Sequence, residues 1–71
     1  MREQFSGRKL RAERIKARMS IENLASCCGV DSEIISELES GTRRPRGAMQ
    51  LTLADALGVR LQAFYSEDLS E

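Results

Sequence analysis

Three arginines, Arg43, Arg44 and Arg46, surround the one proline of the sequence, Pro45. Guanidinium groups keep their charge at physiological pH and donate paired hydrogen bonds to phosphate oxygens. A second basic stretch lies in residues 2–18, where lysine and arginine outnumber glutamate. The chain therefore carries two basic patches that could contact a polyanion, although its formal net charge of zero predicts weak long-range steering.

The other reactive side chains do not suggest catalysis or a metal centre. The two cysteines, Cys27 and Cys28, are adjacent, and the sequence has no histidine, whereas a structural zinc site needs four ligands. There is no phosphate-binding glycine loop and no clustered pair of carboxylates. We therefore expect a protein that is not an enzyme and that has no cofactor and no metal. Cys28 is expected in the core and Cys27 at the surface.

The length of 71 residues allows one domain, which we assign to residues 1–66, followed by an acidic C-terminal tail at 67–71. No apolar stretch is long enough to span a bilayer, and no secretory signal is recognisable. A cytoplasmic protein without a membrane partner is expected. Because no room remains for a sensing domain, we expect no small-molecule ligand.

The spacing of apolar residues and the capping residues predict five short helices and no strand. Ser6 marks the start of the first helix, and Ser20 and Asp31 are expected to cap the next two, because their oxygens can accept from backbone N–H groups of the first turn. Gly29 and Gly41 are expected to end the second and third helices. The apolar positions of the first four helices are Leu10, Ile15, Leu24, Ala25, Cys28, Ile35, Leu38, Met49, Leu53 and Leu57.

The segment from Ser20 to Leu38 reads as two short helices joined by a glycine-centred turn, the sequence form of a helix-turn-helix. The longer stretch from Leu10 to Val59 resembles the lambda-repressor-like (Cro/repressor) family. The matching residues are Arg14, Leu24 and Ala25, Gly29 and Val30, Ile35, the LESG of 38–41, Pro45 and the ADALGV of 54–59. The resemblance implies a compact all-α, five-helix DNA-binding domain with the helix-turn-helix at its second and third helices.

The resemblance also implies roles for individual residues. The outward face of the third helix would read base edges, through Ser32, Glu33, Ser36 and Glu37. Phosphate contacts are expected from Ser20, Arg11, Arg18, Arg43, Arg44 and Arg46. An arginine of the first helix commonly pairs with the glutamate before the glycine that follows the recognition helix, which corresponds to Arg14 and Glu39. We interpret that pair as structural. For Glu33 and Glu37 the alternative is a solvated helix face.

Two positions depart from the family pattern. Many members have glutamine after the cap of the second helix, where it contacts a phosphate, but this chain has Ile21. The turn after the first helix is often glycine, whereas Arg18 here must either adopt a left-handed conformation or lengthen the helix.

The family resemblance implies a bacterial or phage transcriptional regulator that binds a palindromic DNA operator as a homodimer. The dimer interface is expected at the last helix, through Leu61, Phe64 and Tyr65, with Leu51 as a further exposed contact; the alternative is that the aromatic residues close the monomer core. A second hypothesis follows from the acidic recognition face: the domain binds another regulatory protein rather than DNA.

Overall fold

The computed structural model describes residues 4–66 and contains four α-helices. They are α1 (Gly7–Lys16), α2 (Ile21–Cys28), α3 (Ser32–Ser40) and α4 (Gly47–Leu57). A 3₁₀ turn, η1 (Leu61–Phe64), follows α4. Two short strands, β1 (Gln4–Phe5) and β2 (Tyr65–Ser66), flank the helices. The predicted acidic tail at 67–71 lies outside the described residues.

Two predictions about the elements are wrong. In place of the expected fifth helix the structure has the four-residue 3₁₀ turn η1. A segment this short forms i to i+3 hydrogen bonds rather than the i to i+4 bonds of an α-helix. Strands are also present, because β1 and β2 pair antiparallel with Gln4 opposite Ser66 and Phe5 opposite Tyr65. Two residues are too few to produce a period-2 pattern, so the sequence held no strand signal.

Local hydrogen bonds set the helix starts. The Ser6 hydroxyl accepts from the N–H of Lys9 at 3.3 Å. At α2 the Ser20 hydroxyl accepts from Asn23 N–H at 3.0 Å, while the Asn23 side chain accepts from Ser20 N–H at 3.3 Å. This reciprocal capping box satisfies two backbone donors. Asp31 occupies the cap position of α3 without a side-chain capping bond.

Arg18 adopts the left-handed conformation, with φ of 60°. Met19 N–H donates to the Arg14 carbonyl at 3.1 Å and Arg18 N–H to the Ile15 carbonyl at 2.9 Å. These two bonds form a Schellman motif, which usually contains glycine at the left-handed position. Of the two conformations that the sequence left open, the structure contains the left-handed one, and α1 ends at Lys16.

The core is assembled from all four helices and η1. Its buried apolar residues are Leu10, Leu24, Ala25, Ile35, Leu38, Leu53, Ala54 and Phe64. Burial of each larger side chain contributes about 1.5–3 kcal/mol. Ile15 was predicted to be buried but is 53% exposed. The inward face of α1 holds Leu10 and Arg14, and Ile15 projects about 100° further around the helix axis.

Gly7 lets the start of α1 approach the last turn of α3. A Cβ atom at this position would collide with the backbone carbonyl oxygens of Leu38 and Glu39. Those oxygens belong to helical backbone and cannot move like a flexible side chain. The close approach brings α1 against the end of α3, where Glu39 lies.

Candidate nucleic-acid interface

The helix-turn-helix is formed by α2, the turn at residues 29–31 and α3. Gly29 has φ of 73°, a left-handed conformation that places no strain on glycine. Val30 N–H then donates to the Ala25 carbonyl at 3.0 Å. Leu24 and Ala25 of α2 and Ile35 and Leu38 of α3 are buried together in the core. Their burial fixes how α3 is presented at the surface.

One open groove, about 700 Å³ in volume, lies between the start of α2 and the outward face of α3. Its lining consists of Arg14, Ser20, Ile21, Glu22, Ser32, Glu33 and Ser36. Three of the four residues predicted to read bases, Ser32, Glu33 and Ser36, therefore line the same groove as the phosphate candidate Ser20. Ile21 and Glu22 also line the groove, although the sequence analysis assigned neither of them a binding role. Their position directly after the capping serine could have indicated that they lie at this surface.

Glu37, the fourth residue predicted to read bases, is instead bonded to the next loop. Its carboxylate accepts a hydrogen bond from Arg43 Nε at 2.8 Å, and the two side chains are 35% and 49% exposed. The pair is solvated enough to be screened by salt. Arg43 is thus held beside α3 at the edge of the candidate interface.

The arginine loop, residues 42–46, begins from the last turn of α3. Thr42 N–H and Arg43 N–H both donate to the Glu37 carbonyl, at 3.0 and 3.3 Å. Arg44 and Arg46 are exposed, and among residues 4–66 neither takes part in a salt bridge. The loop therefore presents two unneutralised guanidinium groups and one that is paired with Glu37.

Arg14 and Glu39 meet in the interior, as the resemblance implied. Arg14 Nε lies 2.6 Å and Nη2 lies 3.1 Å from the two carboxylate oxygens, and Nη1 donates to the Met19 carbonyl at 2.9 Å. The hydrogen bond to Glu39 raises the pKa of Arg14 above its ordinary value, against the opposing effect of burial. The pair joins α1 to the end of α3 and holds the turn before α2.

Arg11 and Arg18 lie apart from the recognition groove. Both side chains are exposed, Arg11 on α1 and Arg18 in the turn before α2, but neither lines the groove. Their predicted phosphate contacts therefore depend on how far DNA would extend beyond α3.

Comparison with known proteins places this geometry in a family. A family model described as a helix-turn-helix domain matches residues 7–63. This chain belongs to the lambda-repressor-like helix-turn-helix family. No curated protein sequence matches it.

Solved structures of helix-turn-helix regulators are similar along most of the chain. The restriction-modification controller protein C.AhdI from Aeromonas hydrophila is 31% identical, with a TM-score of 0.79 over 82% of this chain and 88% of that one. The P22 c2 repressor, solved in complex with a synthetic operator, is 30% identical, with a TM-score of 0.78 over 86% and 92% of the two chains. The hypothetical transcription factor NHTF from Neisseria is 26% identical, with a TM-score of 0.80 over 87% and 71%.

The structure places the predicted dimer residues of this helix-turn-helix domain in different environments. Phe64 is fully buried in the monomer core and packs on Phe5 at a ring-centroid distance of 5.5 Å, so it has no surface to offer a second copy. Tyr65 is half-buried, and its hydroxyl bonds to Gln50. Leu61 is half-buried, whereas Leu51 is 60% exposed. The burial of Phe64 thus agrees with the alternative in which it closes the monomer core.

The two cysteines differ in environment. Cys28 is partly buried and packs against the core, and burial raises the pKa of its thiol. Cys27 is exposed. Among the described residues, no helix has the length and apolar character needed to cross a membrane.

Proposed function

We propose that this chain is a transcriptional regulator that binds double-stranded DNA sequence-specifically, as a homodimer on a two-fold symmetric operator. The observation that carries the proposal is the single groove that Ser20 at the cap of α2 lines together with Ser32, Glu33 and Ser36 of α3. The next residue of α3, Glu37, bonds to Arg43 of the arginine loop. A recognition helix flanked by a helix N-terminus and arginines matches the way helix-turn-helix proteins dock in a major groove.

In this proposal Ser32, Glu33 and Ser36 contact base edges. Serine can pair with several bases, and a glutamate can accept from the exocyclic amine of cytosine. Arg43, Arg44 and Arg46 contact phosphates, together with backbone N–H groups at the start of α2. Such contacts set affinity, whereas the serines and Glu33 would set the preferred sequence.

We assign the dimer contact mainly to Leu51, with Leu61, which is half-buried against the core, at its edge. Leu51 is one of two large apolar side chains that are mostly exposed among the described residues, and exposed leucines gain most from burial at an interface. Two recognition helices in a dimer would enter successive major grooves about 34 Å apart. The named relatives belong to bacteria and a bacteriophage, and we propose the bacterial cytoplasm as the site of action.

One observation supports the alternative hypothesis that the domain binds another protein. Glu22 and Glu33 both line the groove at the recognition surface, and a carboxylate repels nearby phosphates. A basic partner protein would be attracted by this groove. The two proposals predict different effects of removing the arginines of the loop, because binding of a basic partner would not require them.

The test is selection from a randomised duplex library, followed by anisotropy titrations at several salt concentrations. Enrichment of a two-fold-symmetric site, with affinity that falls steeply as salt rises, is the expected result. Arg44→Ala and Arg46→Ala should weaken binding on all sequences, whereas Arg60→Ala, an exposed arginine outside the loop, is the matched control. Absence of enrichment, with equal binding by all three variants, would favour a protein partner.

Homodimer formation has its own measurement. Sedimentation velocity should give a dimer for the native chain and a monomer for Leu51→Lys, because a buried ammonium group without a partner is costly. Ile15→Lys, at the other mostly exposed apolar side chain, serves as the control and should leave the dimer intact. A native chain that sediments as a monomer at micromolar concentration and on operator DNA would contradict this assignment.

A further inference from the structure

A line of two hydrogen bonds joins the C-terminal strand to the arginine loop. The Tyr65 hydroxyl donates to Gln50 Oε1 at 2.5 Å. The Gln50 Nε2 group donates in turn to the Pro45 carbonyl at 3.2 Å. All three residues are partly buried, where a hydrogen bond is less weakened by competition with water. A side chain of α4 thus connects β2 with the middle of the loop.

The far half of the loop has few other attachments. At its start the loop is anchored by the N–H groups of Thr42 and Arg43, both bonded to the Glu37 carbonyl. Beyond them Pro45 has no N–H to donate. Arg46, the cap residue of α4, makes no side-chain capping bond, and its carbonyl accepts from Gln50 N–H at 2.9 Å. The Gln50 amide is therefore the side-chain donor that holds Pro45, between Arg44 and Arg46.

A cleft of about 280 Å³ lies between the loop and the body of the domain. Its lining combines Arg43, Arg44 and Pro45 of the loop with Phe5, Gln50 and Tyr65. Because close-packed side chains do not fill this space, apolar packing alone does not fix the distance between the loop and the body. A polar tether that spans the edge of the cleft can fix it instead.

We propose that Gln50 and Tyr65 are positioning residues for the phosphate-binding arginines, a role that rests on the function proposed above. Tyr65 orients the Gln50 amide so that its oxygen faces the hydroxyl and its nitrogen faces Pro45. Gln50 then holds the Pro45 carbonyl and, with it, the backbone on either side. The pairing of β1 with β2 becomes part of the DNA-binding apparatus, since it places Tyr65.

The variants that test the tether are Gln50→Met and Tyr65→Phe. Gln50→Met removes both hydrogen bonds and keeps a side chain of similar length, whereas Tyr65→Phe removes one hydroxyl and leaves the amide able to donate to Pro45. Gln62→Met makes the same chemical change at an exposed position of η1. Thermal unfolding followed by circular dichroism establishes that each variant is folded at the temperature of the other measurements.

The first readout needs no DNA. Backbone ¹⁵N relaxation by NMR in the isolated protein should show larger-amplitude motion of the Arg44 and Arg46 N–H vectors in Gln50→Met, a smaller increase in Tyr65→Phe, and no increase in Gln62→Met. The order parameters of Leu24 and Leu53 in the core should stay unchanged in all three. Unchanged order parameters at Arg44 and Arg46 in a folded Gln50→Met protein would overturn the proposal.

The second readout is affinity for duplex DNA. Gln50→Met should weaken binding about three- to tenfold on operator and random sequences alike. This is the fold-change that corresponds to the loss of about one net hydrogen bond. Tyr65→Phe should lose less, and Gln62→Met should match the native chain. Equal affinity in all four proteins would overturn the proposal if the native chain binds DNA. If the native chain does not bind, the proposed function fails, while the relaxation measurement still decides whether the tether orders the loop.

Discussion

Two arginine–glutamate pairs, both involving α3, use the same chemical groups in different surroundings. In the Arg14–Glu39 pair the side chains are 11% and 7% exposed, and two nitrogens of the guanidinium meet the carboxylate. In the Arg43–Glu37 pair they are 49% and 35% exposed, with one contact at 2.8 Å. The two glutamates are separated by two residues, which corresponds to about 200° around a helix axis. One faces α1 and the other faces the arginine loop.

The difference shows how burial gives the same pair two different consequences. A buried ion pair contributes little net stability when intact, but loss of one partner leaves a desolvated charge that the interior cannot stabilise. A solvated pair contributes little in either case, because water and salt replace the lost partner. Arg14 is therefore required for stability of the fold, whereas Arg43 can leave the Glu37 carboxylate and bind a phosphate with little loss of free energy.

The largest expected effect comes from breaking the buried pair. Arg14→Met should lower the free energy of unfolding by about 3 kcal/mol, since the buried Glu39 side chain would be left without a partner. Urea denaturation measures this loss. Arg11→Met, the same substitution at an exposed position of α1, should change the free energy by less than about 0.5 kcal/mol. Equal effects of the two substitutions would show that burial does not separate the pairs.

Removal of Arg43 should give the reverse pattern. Arg43→Ala is expected to weaken binding to duplex DNA about five- to tenfold on all sequences, since a phosphate contact carries no sequence information. The same change should lower the free energy of unfolding by less than about 1 kcal/mol. Anisotropy titrations and urea denaturation of one preparation give both numbers, with Arg60→Ala as the control. A large loss of stability with unchanged affinity would contradict the comparison.

Glu37→Gln tests whether the carboxylate restrains Arg43. Neutralising it should tighten binding to random duplexes about two- to fivefold and steepen the dependence on salt, because Arg43 is released and a repulsive charge is removed. Glu13→Gln breaks another surface pair, with Lys16 at 3.5 Å, and should leave affinity unchanged. If Glu37→Gln instead alters only the preferred operator sequence, Glu37 reads a base, as the family resemblance implied.

The smallest expected effect is the difference in salt dependence between the two ion pairs. A double-mutant cycle on Arg43 and Glu37 should give a coupling free energy of about 0.5 kcal/mol at low ionic strength. At about 1 M salt, where the Debye length falls to about 3 Å, that coupling should disappear. The cycle on Arg14 and Glu39 should keep most of its coupling. Similar salt dependence in both cycles would show that the two pairs are equally solvated.

The sequence predicted local features more reliably than long-range ones. Ser20 as a cap and Gly29 as a helix end could be read directly, because both act on backbone groups within a few residues. The family assignment, which drew on residues from Leu10 to Val59, is confirmed. Ile15 was misassigned because the inward face of a helix depends on what covers it, and α1 buries Arg14 there instead.

The candidate site was only partly readable. Ser32, Glu33 and Ser36 do line one groove, since Ser36 lies four residues after Ser32 and three after Glu33, a spacing that places all three on one face of α3. The bond between Glu37 and Arg43 could not be foreseen, because it depends on how the loop turns after Gly41. The Gln50 tether left no signal at all, since a glutamine in an amphipathic helix is normally a solvated residue.

What this sequence determined by itself was where α1 begins, where α2 and α3 begin and end, and which residues could form a helix-turn-helix. Capping groups, glycines and apolar spacing act over three or four residues, so their effects can be predicted from the local sequence. The family resemblance implied the Arg14–Glu39 pair, but only the tertiary structure decided which carboxylate faces the loop and how the terminal strands reach Pro45. Those outcomes depend on contacts between segments far apart in the chain, such as Arg14 with Glu39 and Gln50 with Tyr65, and burial there sets the energy of each charge and hydrogen bond.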